Sequence, residues 1–187
     1  MKLFGLFRTR RAVRQKVDAA HDLYAAVVGQ ARRPEFYAAV GVPDTLDGRF
    51  ELIALHVFLI LHRLKSEGEP GQTLGQALFD TMWSDMDQNL REMGAADLGV
   101  GRRIKAMATG FYGRTAAYDA ALRQDDTAVL SEALRRNLYG TVSPADIDLD
   151  RMTAYVRDQV RHLASQPRDS LAAGKVGFTP APATRMG

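Results

Sequence analysis

Residues 78–118 read LFDTMWSDMDQNLREMGAADLGVGRRIKAMATGFYGRTAAY, and the predicted fold is organised around them. The stretch holds the only tryptophan of the chain, an acidic first half and a basic second half. Apolar residues recur at spacings of three and four from Leu74 to Met93 and again from Val100 to Leu122, which is the period of an α-helix. We therefore expect two amphipathic helices packed against each other, with Gly94 ending the first of them.

Helical periodicity continues on both sides of this stretch, and no window shows the alternation of a β-strand. Helices are expected to begin near Arg10, Pro34, Thr45, Leu74, Gly101, Asp125 or Asp126, and Ser143. The one over residues 45–66 is apolar almost all round, so we place it at the centre, capped by Asp44 or Asp47. Residues 67–71 predict a loop.

The sequence thus predicts an all-α protein, a single-domain bundle of about six to seven helices. The helical domain should span residues 13–165, between a basic segment at 1–12 and a flexible tail rich in Pro, Ala and Gly at 166–187. A chain of 187 residues can bury a core without disulfides or metals, and it contains no cysteine. Its basic N-terminal run is either a solvated chain end or a contact for anionic lipid or RNA.

Neither a catalytic site nor a metal site is expected. Asp80, Asp85 and Asp87 form the densest acidic group, but Asp85 and Asp87 point to different sides of a helix. His56 and His62 are six residues apart, a spacing that does not let them share a metal ion. We predict that His56 is a buried, hydrogen-bonded histidine. No nucleotide-binding or nucleophile motif occurs, so we expect a protein that is not an enzyme and carries no cofactor.

The central stretch has more large apolar side chains than one helix stripe can bury. Methionine adapts its shape to varied partners and recurs on surfaces that hold apolar ligands. We therefore expect a groove for an apolar partner, lined by Trp83, Met86, Met107, Phe111 and Tyr112.

Basic residues crowd the first turn of the helix that starts near Gly101. Arg102, Arg103 and Lys105 stand where the helix dipole disfavours positive charge, so they should have anionic partners. Those partners are either the aspartates of the preceding helix or an anion from outside the chain. Gly110 and Gly113 lie in the middle of the same helix and predict close approach by a neighbouring helix or a ligand.

Beyond these features, the order of many residues resembles one protein family. They are Asp47-Gly48-Arg49-Phe50-Glu51, Leu55-His56, Arg63-Leu64, Leu78-Phe79-Asp80, Met82, Asp85-Met86-Asp87, Leu90-Arg91-Glu92-Met93-Gly94, Asp97-Leu98, Val100-Gly101-Arg102-Arg103-Ile104-Lys105, Met107, Phe111-Tyr112-Gly113-Arg114 and Tyr118. The chain resembles, over about residues 20–139, the ubiquinol–cytochrome c chaperone family, whose members assist assembly of respiratory complex III.

The resemblance implies an all-helical, non-enzymatic chaperone that binds newly made cytochrome b and promotes assembly of the ubiquinol–cytochrome c reductase complex. It also implies the ribosome and a small assembly factor as further candidate partners. Because we recognise no organellar presequence in the sequence, we expect a cytoplasmic protein that visits the inner membrane. We expect the groove to cover an apolar client segment. The expected polar and basic contacts to partners are Asp80, Asp87, Arg91, Arg102, Arg103, Lys105 and Arg114.

Two other functions fit the residues. A basic helical module that binds RNA or the ribosome, without preference for a nucleic-acid sequence, would explain the excess of positive charge. A helical protein that binds haem or another small molecule would use His56 or His62 as a ligand.

Overall fold

The computed structural model describes the backbone of residues 3–92, 97–124 and 126–183, and the side chains of residues 14–92, 99–124 and 126–183. Within these ranges the chain is helical with no β-strand, which confirms the predicted all-α class. The helices are α1 (Leu3–Ala31), α2 (Glu35–Ala38), α3 (Leu46–Leu64), α4 (Gly68–Glu92), α5 (Asp97–Gln124), α6 (Thr127–Asn137), α7 (Asp146–Ser165) and α8 (Arg168–Ala172). A 3₁₀ turn, Lys65–Glu67, joins α3 to α4. None of the described helices has both the length and the apolar content needed to cross a bilayer.

Helix α3 forms the centre of the bundle, as its apolar sequence predicts. Every side chain from Phe50 to Ile60 is buried, and α1, α4, α5 and α7 pack around the helix. The cap is Thr45, whose side-chain oxygen accepts a hydrogen bond of 3.1 Å from the Gly48 N–H. The prediction of an aspartate cap was therefore wrong. Asp44 instead accepts a hydrogen bond from Nε of Arg49 at 2.7 Å.

Helix α4 begins at Gly68, although the Gly, Pro and Glu content of this region predicts a loop. Gly68 has a φ of 63°, which glycine adopts without strain, and it turns the chain sharply between the 3₁₀ turn and α4. Pro70 lies in the first turn, where a backbone N–H would have no helical partner. Thr73 lies inside α4 and donates its hydroxyl to the Glu69 carbonyl at 3.0 Å.

His56 is fully buried, and both of its ring nitrogens are hydrogen-bonded, which confirms the prediction for this residue. Its Nδ1 lies 2.7 Å from the Leu52 carbonyl oxygen, and its Nε2 lies 2.7 Å from the Tyr155 hydroxyl. Because a carbonyl only accepts, we assign the proton to Nδ1 and let Nε2 accept from Tyr155. Gln30 donates to the same hydroxyl at 2.9 Å. His56 therefore offers no free nitrogen to a haem iron.

The C-terminal segment packs onto the bundle up to residue 183, which differs from the flexible tail that its composition predicts. The ring of Phe178 lies 5.4 Å from that of His56. The Thr179 carbonyl accepts a hydrogen bond of 2.9 Å from the Gln30 amide. These contacts are made by single residues that do not recur at helical or strand spacing, so composition and periodicity do not detect them.

Some predicted features fall beyond the described part of the chain. Helix α1 begins at Leu3 rather than near Arg10, so its backbone runs through most of the segment predicted as a basic terminus. The features that lie outside the described residues are the side chains of that basic segment, the predicted stop at Gly94, the alternative cap at Asp125, and residues 184–187. Asp126 is the observed cap of α6, and its carboxylate accepts from the Ala128 N–H at 2.8 Å.

Candidate functional site

The five residues predicted to line an apolar groove differ in exposure. Trp83, Met86 and Met107 are half-buried. Phe111 is only 1% exposed and belongs to the core, whereas Tyr112 is 61% exposed. Phe111 can therefore support an apolar surface from beneath but offers almost no area of its own.

An aromatic cluster connects α4 with α5. The ring of Phe79 lies 5.8 Å from Trp83, 5.7 Å from Phe111 and 5.6 Å from Tyr112, measured between ring centroids. Trp83 also lies 6.0 Å from Phe50 of α3. These separations are those of stabilising aromatic pairs, so the cluster sets the distance between the two helices.

A cleft of about 490 Å³ opens beside this cluster, between α3, α4 and α5. Its apolar walls come from Phe58, Leu61, Leu64, Phe79, Phe111, Tyr112 and Ala116. Gly71 and Gly75 of α4 also line it, and a Cβ atom on Gly71 would collide with the Leu64 carbonyl oxygen, so this glycine lets α4 pack closely against the end of α3. We call this feature the aromatic cleft. Its volume matches that of sites that take a few apolar side chains or a small ligand.

Met86 and Met107 lie elsewhere, around a small apolar pocket formed with Leu46, Phe50 and Leu90. The five predicted residues therefore do not share one groove. Phe111 and Tyr112 line the aromatic cleft, the two methionines line the small pocket, and Trp83 joins the aromatic cluster through Phe79. The rotation of α4 and α5 about their axes separates the two groups, and sequence spacing alone does not determine that rotation.

Sequence reasoning did not single out Phe79, Leu61 and Leu46 as site residues. Phe79 lies four residues before Trp83, a spacing that places both side chains on one face of α4. Leu46, at the start of α3, is 50% exposed despite being apolar. The position of Phe79 was readable from its spacing, whereas the exposure of Leu46 depends on the tertiary structure.

The predicted polar contacts on α4 make local pairs along the helix. Asp80 accepts a hydrogen bond of 2.7 Å from Gln76. Asp87 pairs with Arg91 at 2.6 Å in the expected i, i+4 arrangement. Both pairs are exposed, where such interactions contribute only a few tenths of a kcal/mol. They keep the outer face of α4 polar.

Arg102, Arg103 and Lys105 project from the first turns of α5 and are exposed. The aspartates of α4 do not neutralise them, because Asp80 and Asp87 have the local partners described above and Asp85 accepts from the Tyr24 hydroxyl at 2.7 Å. The side chains that the structure describes include no ion-pair partner for these three cations. Of the two alternatives predicted for their partners, the aspartates of α4 were therefore wrong.

The side chain of Arg114 is half-buried rather than exposed on the surface. Its Nη2 donates to Oε1 of Glu51 at 2.5 Å, across 63 positions of sequence. Burial raises the pKa of Glu51 to about 7, and the guanidinium of Arg114 only partly opposes this effect.

A Cβ atom on Gly110 would collide with Nη1 of Arg114, so the glycine leaves space for the guanidinium. Gly113 faces open space, so neither glycine serves the predicted approach of a neighbouring helix.

These two glycines give a matched pair of substitutions. Gly113→Ala should raise the free energy of unfolding by about 0.5–1 kcal/mol, because alanine forms helix better and meets no neighbour. Gly110→Ala should displace Arg114 and leave the buried Glu51 without its partner. We therefore expect the Gly110→Ala protein to be less stable than the Gly113→Ala protein by about 1–3 kcal/mol. Urea unfolding at neutral pH measures both. Equal stabilisation by the two alanines would mean that the flexible guanidinium of Arg114 moves aside without any loss of its interaction with Glu51.

A charged cluster borders the aromatic cleft at Asp119 of α5. Its carboxylate oxygens lie 2.8 Å from His62 Nδ1, 2.5 Å from Lys65 Nζ and 3.1 Å from Arg123 Nη1. Burial alone would raise the pKa of Asp119, but hydrogen bonds from Lys65 and His62 outweigh it and lower this pKa. The cluster joins α3 and the 3₁₀ turn to α5, so the mouth of the cleft is polar while its walls are apolar.

The described side chains include no group of three or more His, Cys, Asp or Glu residues placed to hold a metal ion.

Comparisons with known proteins agree on a single family. The profile of the family described as ubiquinol-cytochrome C chaperone matches residues 38–178. Ubiquinol-cytochrome-c reductase complex assembly factor 1 of Xenopus laevis is 31% identical over 163 residues, covering 87% of this chain and 81% of that protein. The Homo sapiens protein of that name is 30% identical, and this chain spans 54% of its length.

The fold also has a solved relative. The crystal structure of the Cbp3 homolog from Brucella abortus matches this chain with a TM-score of 0.83 and 36% identity, covering 94% of this chain and 97% of that one. The resemblance that residues 20–139 suggested is thereby confirmed, and it extends through α7 and into the C-terminal segment. This chain belongs to the ubiquinol-cytochrome c chaperone family.

Proposed function

We propose that this protein is an assembly chaperone that binds newly made cytochrome b and promotes its incorporation into the ubiquinol–cytochrome c reductase complex. The observation that carries the proposal is membership of a family whose relatives are named assembly factors of that complex. The aromatic cleft supports it, because its apolar walls and exposed Tyr112 suit an apolar polypeptide segment.

The apolar surface of the client determines what such a chaperone must do. Membrane-spanning helices are apolar on all sides and aggregate when water surrounds them. The aromatic cleft can cover side chains of one such helix rather than its whole length. Binding of this limited kind is weak enough to be reversed, which lets the client leave for the membrane and the complex.

The proposal includes no catalytic step, because the role of the protein is to bind and release its client. We place it in the cytoplasm, with peripheral contact at the inner membrane and with the ribosome as a second contact. Arg102, Arg103 and Lys105 are exposed and have no ion-pair partner among the described side chains, which supports contact with an anionic surface of this kind. Contact with bare RNA would weaken steeply as salt is raised, which separates it from contact with an apolar client.

A deletion strain tests the proposal. Loss of the gene should lower both cytochrome b and assembled complex III severalfold, while another respiratory complex stays at its normal level. Re-expression of the wild-type chain should restore both. Normal complex III in the deletion strain would contradict the proposed function. Loss of every respiratory complex together would instead indicate a general role in translation or membrane insertion.

A further inference from the structure

A second cleft, of about 340 Å³, lies where the start of α3, the body of α5 and the end of α6 meet. Three arginines line it: Arg103 and Arg114 from α5, and Arg136 from α6. Two carboxylates, Asp47 and Glu51 of α3, face them. We call this feature the basic cleft.

The described side chains do not neutralise all the arginines of the basic cleft. Arg114 is held by Glu51 at 2.5 Å. Among the described side chains, Arg103 and Arg136 have neither an ion-pair nor a hydrogen-bond partner, although both border the same cavity as Arg114. Two positive groups that no described side chain pairs therefore line one cavity, together with the carboxylate of Asp47.

A buried donor gives an independent indication. Nε of Arg114, which lines the basic cleft, is buried and has no hydrogen-bond partner among the described residues. Leaving a buried N–H group without a partner is costly, so an acceptor entering the cleft would recover part of that cost.

We propose that the basic cleft binds a carboxylate of a partner polypeptide, with an adjacent apolar side chain in the neighbouring small pocket. The two cavities are adjacent, because Asp47, Phe50, Arg103 and Met107 line both. With Asp47 and Glu51 both ionised, the three arginines and two carboxylates of the cleft leave one positive charge, which suits a monoanion better than a phosphate dianion facing those carboxylates. The ligand is thus an acidic residue next to an apolar one.

The identity of that polypeptide as the chaperone's client rests on the proposed function, but the carboxylate site itself does not. Peptide titration of the full chain followed by NMR tests the site, with Ac-Leu-Asp-Leu-NH2 as probe and Ac-Leu-Asn-Leu-NH2 as its uncharged match. The acidic peptide should shift signals of residues 103, 136 and 137 and bind at least tenfold more tightly than the neutral one. Arg103→Gln and Arg136→Gln should each weaken it about tenfold. Arg102→Gln removes the same charge outside the cleft and should change affinity less than twofold.

Several results would overturn the carboxylate site. They are equal binding of the two peptides, equal weakening by Arg102→Gln and Arg103→Gln, or tighter binding of inorganic phosphate than of the acidic peptide at the same residues. If the acidic peptide does not bind preferentially but deletion still lowers complex III, the carboxylate site is contradicted and the proposed function stands. Peptide binding without any complex III defect would leave the site with a different protein partner.

Discussion

His56→Ala should lower the free energy of unfolding by about 3–5 kcal/mol at pH 7. The substitution empties a fully buried position that contacts the rings of Phe36, Tyr155 and Phe178. Deleting a large buried side chain of this kind costs several kcal/mol through lost contacts and the cavity left behind. It also removes the two hydrogen bonds of the ring, one to the Leu52 carbonyl and one from the Tyr155 hydroxyl. Equilibrium urea unfolding measures the loss.

The same variant has a pH signature. Burial lowers the pKa of His56 to about 4 in the folded protein, below its ordinary value of 6.5. The stability that the neutral ring provides is therefore fully present above pH 6.5 and is lost as the pH falls towards 4. Between pH 7 and pH 5 the gap between wild type and His56→Ala should shrink by about 2 kcal/mol. Glu51 titrates in the same window with the opposite sign, but it is present in both proteins and cancels.

His21→Ala is the matched control, because His21 is exposed on α1. It should change stability by less than about 0.5 kcal/mol. If His56→Ala costs no more than this control, or if the gap to wild type does not narrow at pH 5, the buried neutral histidine is not an anchor of the fold.

Tyr112→Asp should abolish the chaperone function while leaving the fold intact. The side chain is 61% exposed, so its loss from the aromatic cluster removes little buried area. The new carboxylate would replace the ring that lines the apolar wall of the aromatic cleft beside Phe79, where an apolar client would have to cover a charge. In a deletion strain expressing this variant, complex III should stay at the level of the uncomplemented strain. The variant protein should keep the melting temperature of the wild type within a few degrees.

Ile147→Asp gives the comparison for this effect. Ile147 is another exposed apolar side chain, 53% exposed, on the first turn of α7 and outside the aromatic cleft. It should restore complex III as the wild-type chain does. Full restoration of complex III by Tyr112→Asp would indicate that the client binds outside the aromatic cleft. Loss of function in both variants would indicate a general effect of surface charge.

Much of the bundle was predictable because its signals are local. The apolar run of α3 predicts a central helix, and the polar character of His56 within that run predicts a hydrogen-bonded histidine. The start of α4 was not predictable from composition. The turn at Gly68 and the position of Pro70 in the first turn of α4 depend on the direction in which the chain leaves the 3₁₀ turn. The packing of Phe178 onto His56 likewise depends on a contact between residues far apart in the sequence.

The site was predictable only in part, for a different physical reason. Spacing identifies which residues share one face of a helix, but it does not say how two helices are rotated against each other. Tyr112 and Phe111 therefore line the aromatic cleft, whereas Met86 and Met107 line a separate pocket. The Arg114–Glu51 pair joins α5 to α3 across 63 positions, and no short pattern indicates it.

The most direct test of the central claim is photo-crosslinking in living cells. A benzophenone amino acid placed at position 112 keeps an aromatic ring at the apolar wall of the aromatic cleft, and one placed at position 147 serves as the surface control. The account predicts that irradiation joins the position 112 protein to cytochrome b, identified by mass spectrometry, at a level well above the position 147 protein. No cytochrome b adduct at position 112, or equal adducts at both positions, would contradict it.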